Sequence, residues 1–304
     1  MSSGFPAGVL LVVTCASVLA GCAHGSKSGG ASGSHVDGLK ATPLEKPILL
    51  RLKGDTKRPE KVSYVHKSRS TSYEDTEVRS TKEESLEFTS QSETTKILAD
   101  GESLAQTITI LKKDGQANLH DFAMPEVGEK LELVSDTRGK ILRAGDYPTS
   151  SIFYVPPISL PENPVNVGDT WTLQSRWLSL EESVPYQLDM VSIFKGLWTC
   201  GNHRCAELEI GGEVTLQGPV AQTLAFKSLW KGHLMFDVDA GTVLWSRVDS
   251  EEQFMAGNVR RAVNSCLEAA LVEPADLKLP AASKAPCASL SNPGDIAPSP
   301  GPVN

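Results

Sequence analysis

The stretch TLAFKSLWKGHLMFDV, residues 223–238, decides the fold class that the sequence predicts. Its large apolar side chains share one face of an extended chain, and these are Leu224, Phe226, Trp230, Leu234, Phe236 and Val238. Lys227, Lys231 and His233 share the other face, an alternation typical of a half-buried strand. Such a strand has about 15 residues, well beyond the usual five or six. We therefore expect strands that are long enough to twist and curve.

Turn residues separate this strand from similar runs on both sides. Asp239-Ala240-Gly241 follows it directly, and Gly257-Asn258 precedes a run with its large side chains on one side. Those side chains are Val259, Val263, Leu267 and Leu271. Upstream, Gly211-Gly212 interrupts an alternating run over residues 206–217, and adjacent glycines within a strand predict a bulge or a sharp bend. The whole pattern is that of consecutive antiparallel hairpins.

The amino-terminal half of the region carries the same signals with weaker apolar faces. The sequence DTRG, residues 136–139, predicts a turn, and Asp114-Gly115 ends another strand. Residues 64–95 are rich in Ser, Thr and Glu and predict outer or edge strands, whose charges discourage pairing with other chains. Residues 147–154, which two prolines soon follow, are the one candidate for a short helix.

These elements predict an all-β fold with at most one short helix. We expect a single large curled antiparallel sheet of about eleven long strands in meander order, a half-barrel or open barrel over residues 48–272. A sheet of that many twisted strands does not stay flat. A two-sheet sandwich is the alternative, but strands of this length favour the curled sheet.

The chain begins with a leader typical of exported bacterial lipoproteins. An apolar run of about twelve residues from Val9 is too short to cross a hydrocarbon core of roughly 30 Å as a helix, but it suits a signal peptide. Leu19-Ala20-Gly21-Cys22 resembles a lipobox, where such proteins are cleaved and acylated. A buried amino-terminal helix is the alternative, although the run lacks a polar face of helical period. We therefore predict a signal peptide over residues 1–21 and acyl chains on Cys22, which attach the protein to a membrane.

Both ends of the mature chain differ in composition from its centre. Residues 22–47 are rich in Gly and Ser and predict a flexible tether. Residues 273–304 are rich in Pro, Ala and Ser and predict an irregular tail. By analogy with lipoprotein sorting, Ala23 after the acylated cysteine favours the outer membrane, with the folded domain facing the periplasm. A formal net charge of −8 argues against a nucleic-acid partner, because an acidic surface repels phosphates.

Six cysteines divide between the leader, the anchor and the folded domain. Cys15 leaves with the leader and Cys22 is acylated, so four remain in an oxidising compartment, where disulfides form and persist. If Cys200 and Cys205 bond to each other, Cys266 and Cys287 are the two cysteines left, and we expect them to pair. That bond would attach the tail to the last strand.

The other pair flanks a predicted hairpin turn. Cys200 and Cys205 lie on either side of Gly201-Asn202, so they should face each other across the hairpin and form a disulfide. A zinc site of Cys200, His203 and Cys205 is the alternative, although a fourth ligand is missing from the vicinity.

No catalytic or cofactor motif is present, so we predict no enzyme, no metal and no cofactor. The sequence lacks a Gly-x-Ser-x-Gly elbow, a His-Glu-x-x-His pair and a phosphate-binding glycine loop. The sequence DVDAG, residues 237–241, resembles part of a calcium loop, but a hairpin turn explains it better. The carboxylates of Glu181-Glu182 and of Glu251-Glu252 point to opposite strand faces, so neither pair predicts an acid–base site. His24 and His35 fall in the tether, and solvated outer faces are expected for His66, His120, His203 and His233.

A series of short motifs resembles a known group of proteins. The sequence LPENPVNVGDTW, residues 160–171, follows the hairpin VSDTRGKIL, residues 134–142. The series ends with WKG at 230–232, FD at 236–237 and Gly241. It resembles uncharacterised bacterial envelope lipoproteins with a domain of unknown function, the DUF6263-like group. The resemblance covers roughly residues 49–271 and implies structural turns and core tryptophans rather than catalytic residues.

Two functions follow from a curled sheet on a membrane anchor. The concave face could bind an acyl chain or another hydrophobic ligand, and the candidate residues for such a cavity are Trp171, Trp177, Leu224, Phe226, Trp230 and Phe236. Alternatively these residues fill the core, and the protein is an envelope scaffold that binds a protein partner. An open or a filled concave face distinguishes the two.

Overall fold

The computed structural model describes residues 38–98, 101–180, 184–222, 224–272 and 277–290. Within these ranges the chain forms one large antiparallel sheet of twelve strands, open rather than closed into a barrel. The strands are β1 (Lys40–Thr42), β2 (Glu60–Glu74), β3 (Glu77–Ile97), β4 (Ser103–Asp114), β5 (Lys130–Asp136), β6 (Ile141–Ala144), β7 (Thr170–Leu178), β8 (Pro185–Cys200), β9 (His203–Leu216), β10 (Ala225–Asp237), β11 (Thr242–Ala256) and β12 (Val259–Leu271). The all-β prediction is confirmed.

The strand order explains how the sheet curls. Strands β8 to β12 are neighbours in chain order, as are β2 to β6, and pairing of β12 with β2 joins the two runs. Strands β1 and β7 pair with opposite halves of β8. Strand β3 has 21 residues and β8 has 16, so strand twist accumulates over a wide sheet and bends it. The two runs thus face each other across a concave interior.

Strand β10 carries the face that the sequence predicts. Trp230, Leu234 and Phe236 are buried on the concave side, whereas Lys227 and Lys231 pair with carboxylates on the convex side. Of the bulge or sharp bend predicted at Gly211-Gly212, the bulge is wrong, because β9 pairs with both of its neighbours there without a register shift. Gly212 lies opposite Trp230, and the missing side chain leaves room for the buried indole.

Two connecting segments lie inside the curl, and we call them the inner segments. Residues 115–129 join β4 to β5, and residues 145–157 lie within the link from β6 to β7. Each contains one short 3-10 turn, Leu119–Phe122 and Ile152–Tyr154. The helix predicted over residues 147–154 is therefore only a 3-10 turn, and no α-helix occurs in the described ranges. None of the described segments is a helix that could span a membrane.

The two ends of the sheet differ. The tether end has the turns after Cys200 and Asp237, and the chain enters the described structure there because Lys40 pairs with Thr199. The distal end has the turns before Glu77 and Val259. Strand β1 falls within residues 22–47, so the last part of that predicted tether belongs to the sheet.

A capping layer closes much of the tether end. Leu50, in the link from β1 to β2, is fully buried among Leu160, Phe194 and Phe236. The Arg51 guanidinium donates to the carbonyls of neighbouring residues in this layer, including that of Pro161 at 2.6 Å.

The convex face is covered where the tail crosses it. Cys266 and Cys287 form a disulfide, which attaches residues 277–290 to β12 as predicted. Leu277 and Leu279 pack there against buried Trp245. The predicted tail is thus ordered over this part, and its remaining residues lie outside the described ranges.

Strands β2 and β3 are central rather than outer strands over most of their length. Strand β2 lies between β12 and β3, and β3 lies between β2 and β4. The pairing of β4 with β3 ends at Glu87 of β3, so residues 77–86 of β3 have no second strand partner within the described ranges. Within residues 64–95, only this part of β3 forms the charged edge that the sequence predicts.

Candidate functional site

An apolar cavity lies between the two inner segments and the concave face of the sheet. Its volume is about 220 Å³. It is lined by Val62, Tyr64, Phe88, Ile108, Phe122, Ala123, Met124, Leu133, Ile141, Ile152, Phe153, Val155, Pro156, Pro157, Leu234, Val243, Leu244, Ser246, Leu267, Ala269 and Leu271. The lining has no charged side chain within the described ranges, and its polar side groups are the Ser246 and Tyr64 hydroxyls. An interior of this kind favours hydrocarbon over water.

The size of the cavity limits what it can hold. Its volume exceeds the roughly 150 Å³ of an engineered apolar cavity that binds benzene. It lies just below the roughly 300–1,000 Å³ of ordinary small-molecule sites. The cavity therefore suits one short hydrocarbon segment rather than a lipid with two long chains.

Regular strand alternation builds the floor of the cavity. Leu267, Ala269 and Leu271 alternate along β12, and Ala269 lies opposite Tyr64 of β2. The Tyr64 ring stacks on Phe88 with centroids 4.4 Å apart. Burial raises the pKa of the Tyr64 phenol, so this group stays neutral and compatible with an apolar floor.

The inner segment of residues 115–129 forms one wall. Asn118 caps its 3-10 turn by accepting from the His120 N–H at 3.0 Å, and Ala123 ends the turn in a left-handed conformation with φ of 53°. The Glu126 carboxylate accepts from the Leu119 N–H at 2.7 Å and from Lys113 at 2.9 Å. Burial raises the pKa of Glu126, but these hydrogen bonds outweigh it and hold the pKa below its usual value. The wall is thus fixed by polar contacts outside the cavity.

The second wall comes from residues 145–157. Phe153 stacks on Tyr147 with centroids 3.7 Å apart and meets His120 edge-on, so the two inner segments touch each other. The Leu178 N–H donates to the Ser150 carbonyl at 2.7 Å, which ties this segment to β7. Pro157 is exposed while its neighbours on the lining are buried, so the cavity meets solvent on this side.

His66 lies beside the cavity on the concave face of β2, next to two of the residues that line it. Its cross-strand partner Leu267 and its ring neighbour Phe122 both line the cavity, the two rings being 5.3 Å apart. The side chain is 2 % exposed, and its Nε2 has no hydrogen-bond partner within the described ranges. Burial lowers the pKa of the imidazole to about 4, so it is neutral at pH 7. The predicted solvated position of His66 is wrong.

Hydroxyl groups continue the concave face beyond His66. Ser68 lies opposite Ser265, which lies opposite Ser250, and the hydroxyls of Ser250 and Ser265 are 2.6 Å apart. The Arg261 Nε donates to the Ser70 hydroxyl at 2.7 Å. We call Ser68, Ser70, Ser250, Ser265 and their neighbour Glu252 the hydroxyl band.

Glu252 is the buried acid of this band. Its side chain is 5 % exposed and its Oε1 has no hydrogen-bond partner within the described ranges. Burial raises the pKa of this carboxyl to about 8, against smaller opposite effects of Arg261 and Ser228. The adjacent Glu251 lies on the other face, so the two carboxylates do not form a pair, as predicted.

The six residues predicted to line a ligand cavity are not on the main cavity. Trp177 and Trp230 are buried in a core cluster that extends from β5 to β11, and Phe236 is buried under the capping layer. Trp171 is half-buried and donates its indole N–H to the Ser159 carbonyl at 2.8 Å. Leu224 and Phe226 line a separate space of about 200 Å³ at the distal end.

The lining residues that sequence analysis missed come mostly from the inner segments. Phe122 and Phe153 belong to irregular chain, where strand alternation makes no prediction. The nearest available signal is the apolar triplet of residues 152–154 before two prolines. It is part of residues 147–154, for which the sequence predicts a short helix. The predicted lipidation site, Cys22, lies outside the described residues.

The hairpin after β8 forms a disulfide rather than a metal site. Cys200 and Cys205 are bonded to each other, which leaves no free thiolate for the zinc alternative. His203 Nδ1 contacts Asp237 Oδ2, and Asp237 Oδ1 accepts from the N–H groups of Asp239 and Ala240 at 2.8 Å. Residues 237–241 therefore form the expected hairpin turn.

Comparison with known proteins identifies no family. No protein-family model and no curated protein matches the sequence. Among solved structures, the chain is similar to one described as "Lipid-protein interactions in lipovitellin", with a TM-score of 0.42 and 11 % identity, over 79 % of this chain and 27 % of that one. The chain thus spans about a quarter of that structure's length.

A second similarity is to Ail, the attachment invasion locus protein of Yersinia pestis. Its structure with the heparin analogue sucrose octasulfate gives a TM-score of 0.17 and 8 % identity, over 70 % of this chain and 97 % of that one. A structure of Ail described without that ligand gives a TM-score of 0.16 and 9 % identity, over the same shares of the two chains. Similarities at these levels carry no argument about function.

Proposed function

We propose that this protein is a non-catalytic, membrane-anchored envelope lipoprotein that binds a small hydrophobic ligand inside its curled sheet. In this proposal acyl chains on Cys22 hold it to the outer membrane, with the sheet facing the periplasm. It would then be a member of the DUF6263-like group that its motifs resemble.

The apolar cavity is the observation that carries this proposal. The cavity is lined by twenty-one residues from eight strands and the two inner segments, and none of these residues is charged. A filled core of the same composition would leave no such volume, because protein interiors pack with few voids larger than a water molecule. The cavity also meets solvent beside Pro157, which provides a route of entry.

The position of the cavity agrees with a membrane anchor. Its floor residues Leu234, Val243 and Leu271 lie within a few positions of the turns at the tether end. The chain leaves the sheet toward Cys22 at this same end, through β1. An acyl chain that moves between the membrane and the protein would therefore have a short path.

A cavity-filling substitution tests the proposal. In purified full-length chain, Ala269→Leu should weaken binding of the uncharged probe N-phenyl-1-naphthylamine at least tenfold, because the added carbons occupy the floor of the cavity. Ala262→Leu is the matched control on the same strand, since Ala262 does not line the cavity. Equal binding by both variants, or no binding by the wild type, would contradict the proposal. Native mass spectrometry of the wild type should also show a co-purified apolar molecule.

One observation favours the alternative of an envelope scaffold. Residues 77–86 of β3 present a strand edge without a second partner in the described structure, and such an edge can pair with an extended segment of another protein. Photo-crosslinking from position 81 in living cells should then capture a partner protein that position 262 does not capture. A blank result at position 81 would remove this alternative.

A further inference from the structure

On the three adjacent strands β11, β12 and β2, the concave face changes from apolar to polar side chains at the same level. On β12, Leu267 is followed toward the distal end by Ser265. On β11, Val248 is followed by Ser250, and on β2, His66 is followed by Ser68. Because residues two apart on a strand share a face, the apolar floor passes directly into the hydroxyl band. On these three strands the boundary separates an apolar from a more polar part of the concave face.

Two buried polar atoms at this boundary are unpaired. His66 Nε2 and Glu252 Oε1 are both in side chains more than nine-tenths buried, and neither has a partner within the described ranges. Buried polar atoms are nearly always hydrogen-bonded, so each is an exception that calls for a partner. His66 is the nearer to the cavity, through Phe122 and Leu267.

The groups at the boundary carry little charge near pH 7. Burial holds the pKa of His66 at about 4 and raises that of Glu252 to about 8. Arg261 is a cation beside the band, and its Nε bonds to Ser70, which lies four residues from His66 along β2, roughly 13 Å at 3.3 Å per residue. Glu84 and Lys82 lie opposite Ser68 and Ser70 on β3, at the outer side of the band. Glu84 acts electrostatically on His66, but it is half exposed and already paired with Lys82. A charged head group next to His66 would lose its hydration and gain only the distant Arg261 or the paired Glu84 as a counter-charge.

We infer that the cavity and the adjoining edge of the hydroxyl band form one site for a single-chain amphiphile with an uncharged, hydroxyl-bearing head. The chain occupies the apolar cavity, and the head hydroxyl bonds to His66 Nε2 beside it. This inference rests on the proposed function and names the ligand class. A hydroxyl suits the site because it both donates and accepts, as the serines beside it do.

Matched ligands test the inference. 1-Octanol and n-nonane have the same number of heavy atoms, so they differ in the hydroxyl and little in size. Each displaces N-phenyl-1-naphthylamine from the purified full chain at pH 7. In His66→Leu, the affinity for octanol should fall about fivefold relative to that for nonane, since one net hydrogen bond is lost. His66→Gln keeps a hydrogen-bonding group and should retain most of the octanol affinity.

Ser246→Ala tests a competing hydrogen-bonding group, because Ser246 is one of the two hydroxyl-bearing side chains on the cavity lining. It should leave the ratio of octanol to nonane affinity unchanged. The inference is overturned if His66→Leu affects both ligands equally, if Ser246→Ala causes the loss instead, or if octanoate binds more tightly than octanol. Nonane binding to His66→Leu shows that this variant is folded. A wild type that binds no probe at all would sink the proposed function itself, which is a separate outcome.

Discussion

Trp245 donates its indole N–H to the carboxylate of Glu268 at 2.7 Å, in a buried site on the convex face. The same carboxylate accepts from the Cys287 N–H at 3.3 Å. Burial raises the pKa of Glu268, and these two hydrogen bonds counteract that increase. One side chain thus connects the sheet, the tail and the disulfide that holds the tail in place.

The disulfide between Cys266 and Cys287 should therefore contribute strongly to stability. Its loop spans 21 residues, so replacing both cysteines by alanine should cost about 3 kcal/mol through the entropy of the unfolded chain. The matched control replaces Cys200 and Cys205, whose separation of 5 residues predicts a cost smaller by about 1 kcal/mol. Urea denaturation measures both. A larger loss in the control would contradict this ranking.

Stability should fall as the pH rises from about 6.5 to about 8. The folded pKa of Glu252 is raised from 4.5 to about 8, so its contribution is present below pH 4.5 and is lost through pH 8. The folded pKa of His66 is lowered from 6.5 to about 4, so its contribution is lost only as the pH falls below 6.5. Above pH 6.5, Glu252 is the one of these two groups that still changes the free energy of unfolding. That free energy should fall by on the order of 1 kcal/mol per pH unit.

Glu252→Gln is the variant that checks this pH dependence. Glutamine cannot ionise, so its urea midpoint should change less between pH 6.5 and pH 8 than that of the wild type. Glu251→Gln, at the neighbouring position on the convex face, should keep the wild-type slope. An unchanged slope in Glu252→Gln would show that another group is responsible.

Two glycines in adjacent strands should respond differently to alanine. A Cβ at Gly232 would lie 2.6 Å from the Arg247 carbonyl and 2.9 Å from a Val248 methyl, so backbone must move. We expect Gly232→Ala to cost about 2 kcal/mol or more. At Gly211 the nearest atom, the Trp230 carbonyl oxygen, is 3.5 Å away, and Gly211→Ala should be nearly neutral. Thermal unfolding of both variants measures the difference, and equal costs would refute the packing argument.

The predicted membrane anchor has a direct test. Metabolic labelling with palmitate should mark the wild type and the Cys15→Ala variant, because only Cys22 follows the small residues of the lipobox. Cys22→Ala should lose the label and leave the membrane fraction, since the acyl chains provide the attachment. Label or membrane attachment that persists in Cys22→Ala would disprove the anchor.

Sequence patterns predicted most of the sheet and little of the site. Alternation along residues such as Trp230, Leu234 and Phe236 reports which face of a strand is buried, because the side-chain period is two. It does not report whether a buried side chain meets a filled core or an open space. The six candidates of the predicted cavity therefore pack in clusters or line another space.

The amino-acid sequence by itself determined the all-β class, the curled antiparallel sheet, the disulfide hairpin and the pairing of the tail. These follow from local period, turn residues and the number of cysteines left once Cys15 and Cys22 are assigned to the predicted leader and the predicted anchor. Only the tertiary structure placed Phe122 and Phe153 around a cavity, buried His66 beside it and buried Glu252 in the hydroxyl band. The reason is physical: the cavity forms where irregular links fold back onto the sheet, and such long-range contacts leave no periodic trace in the chain.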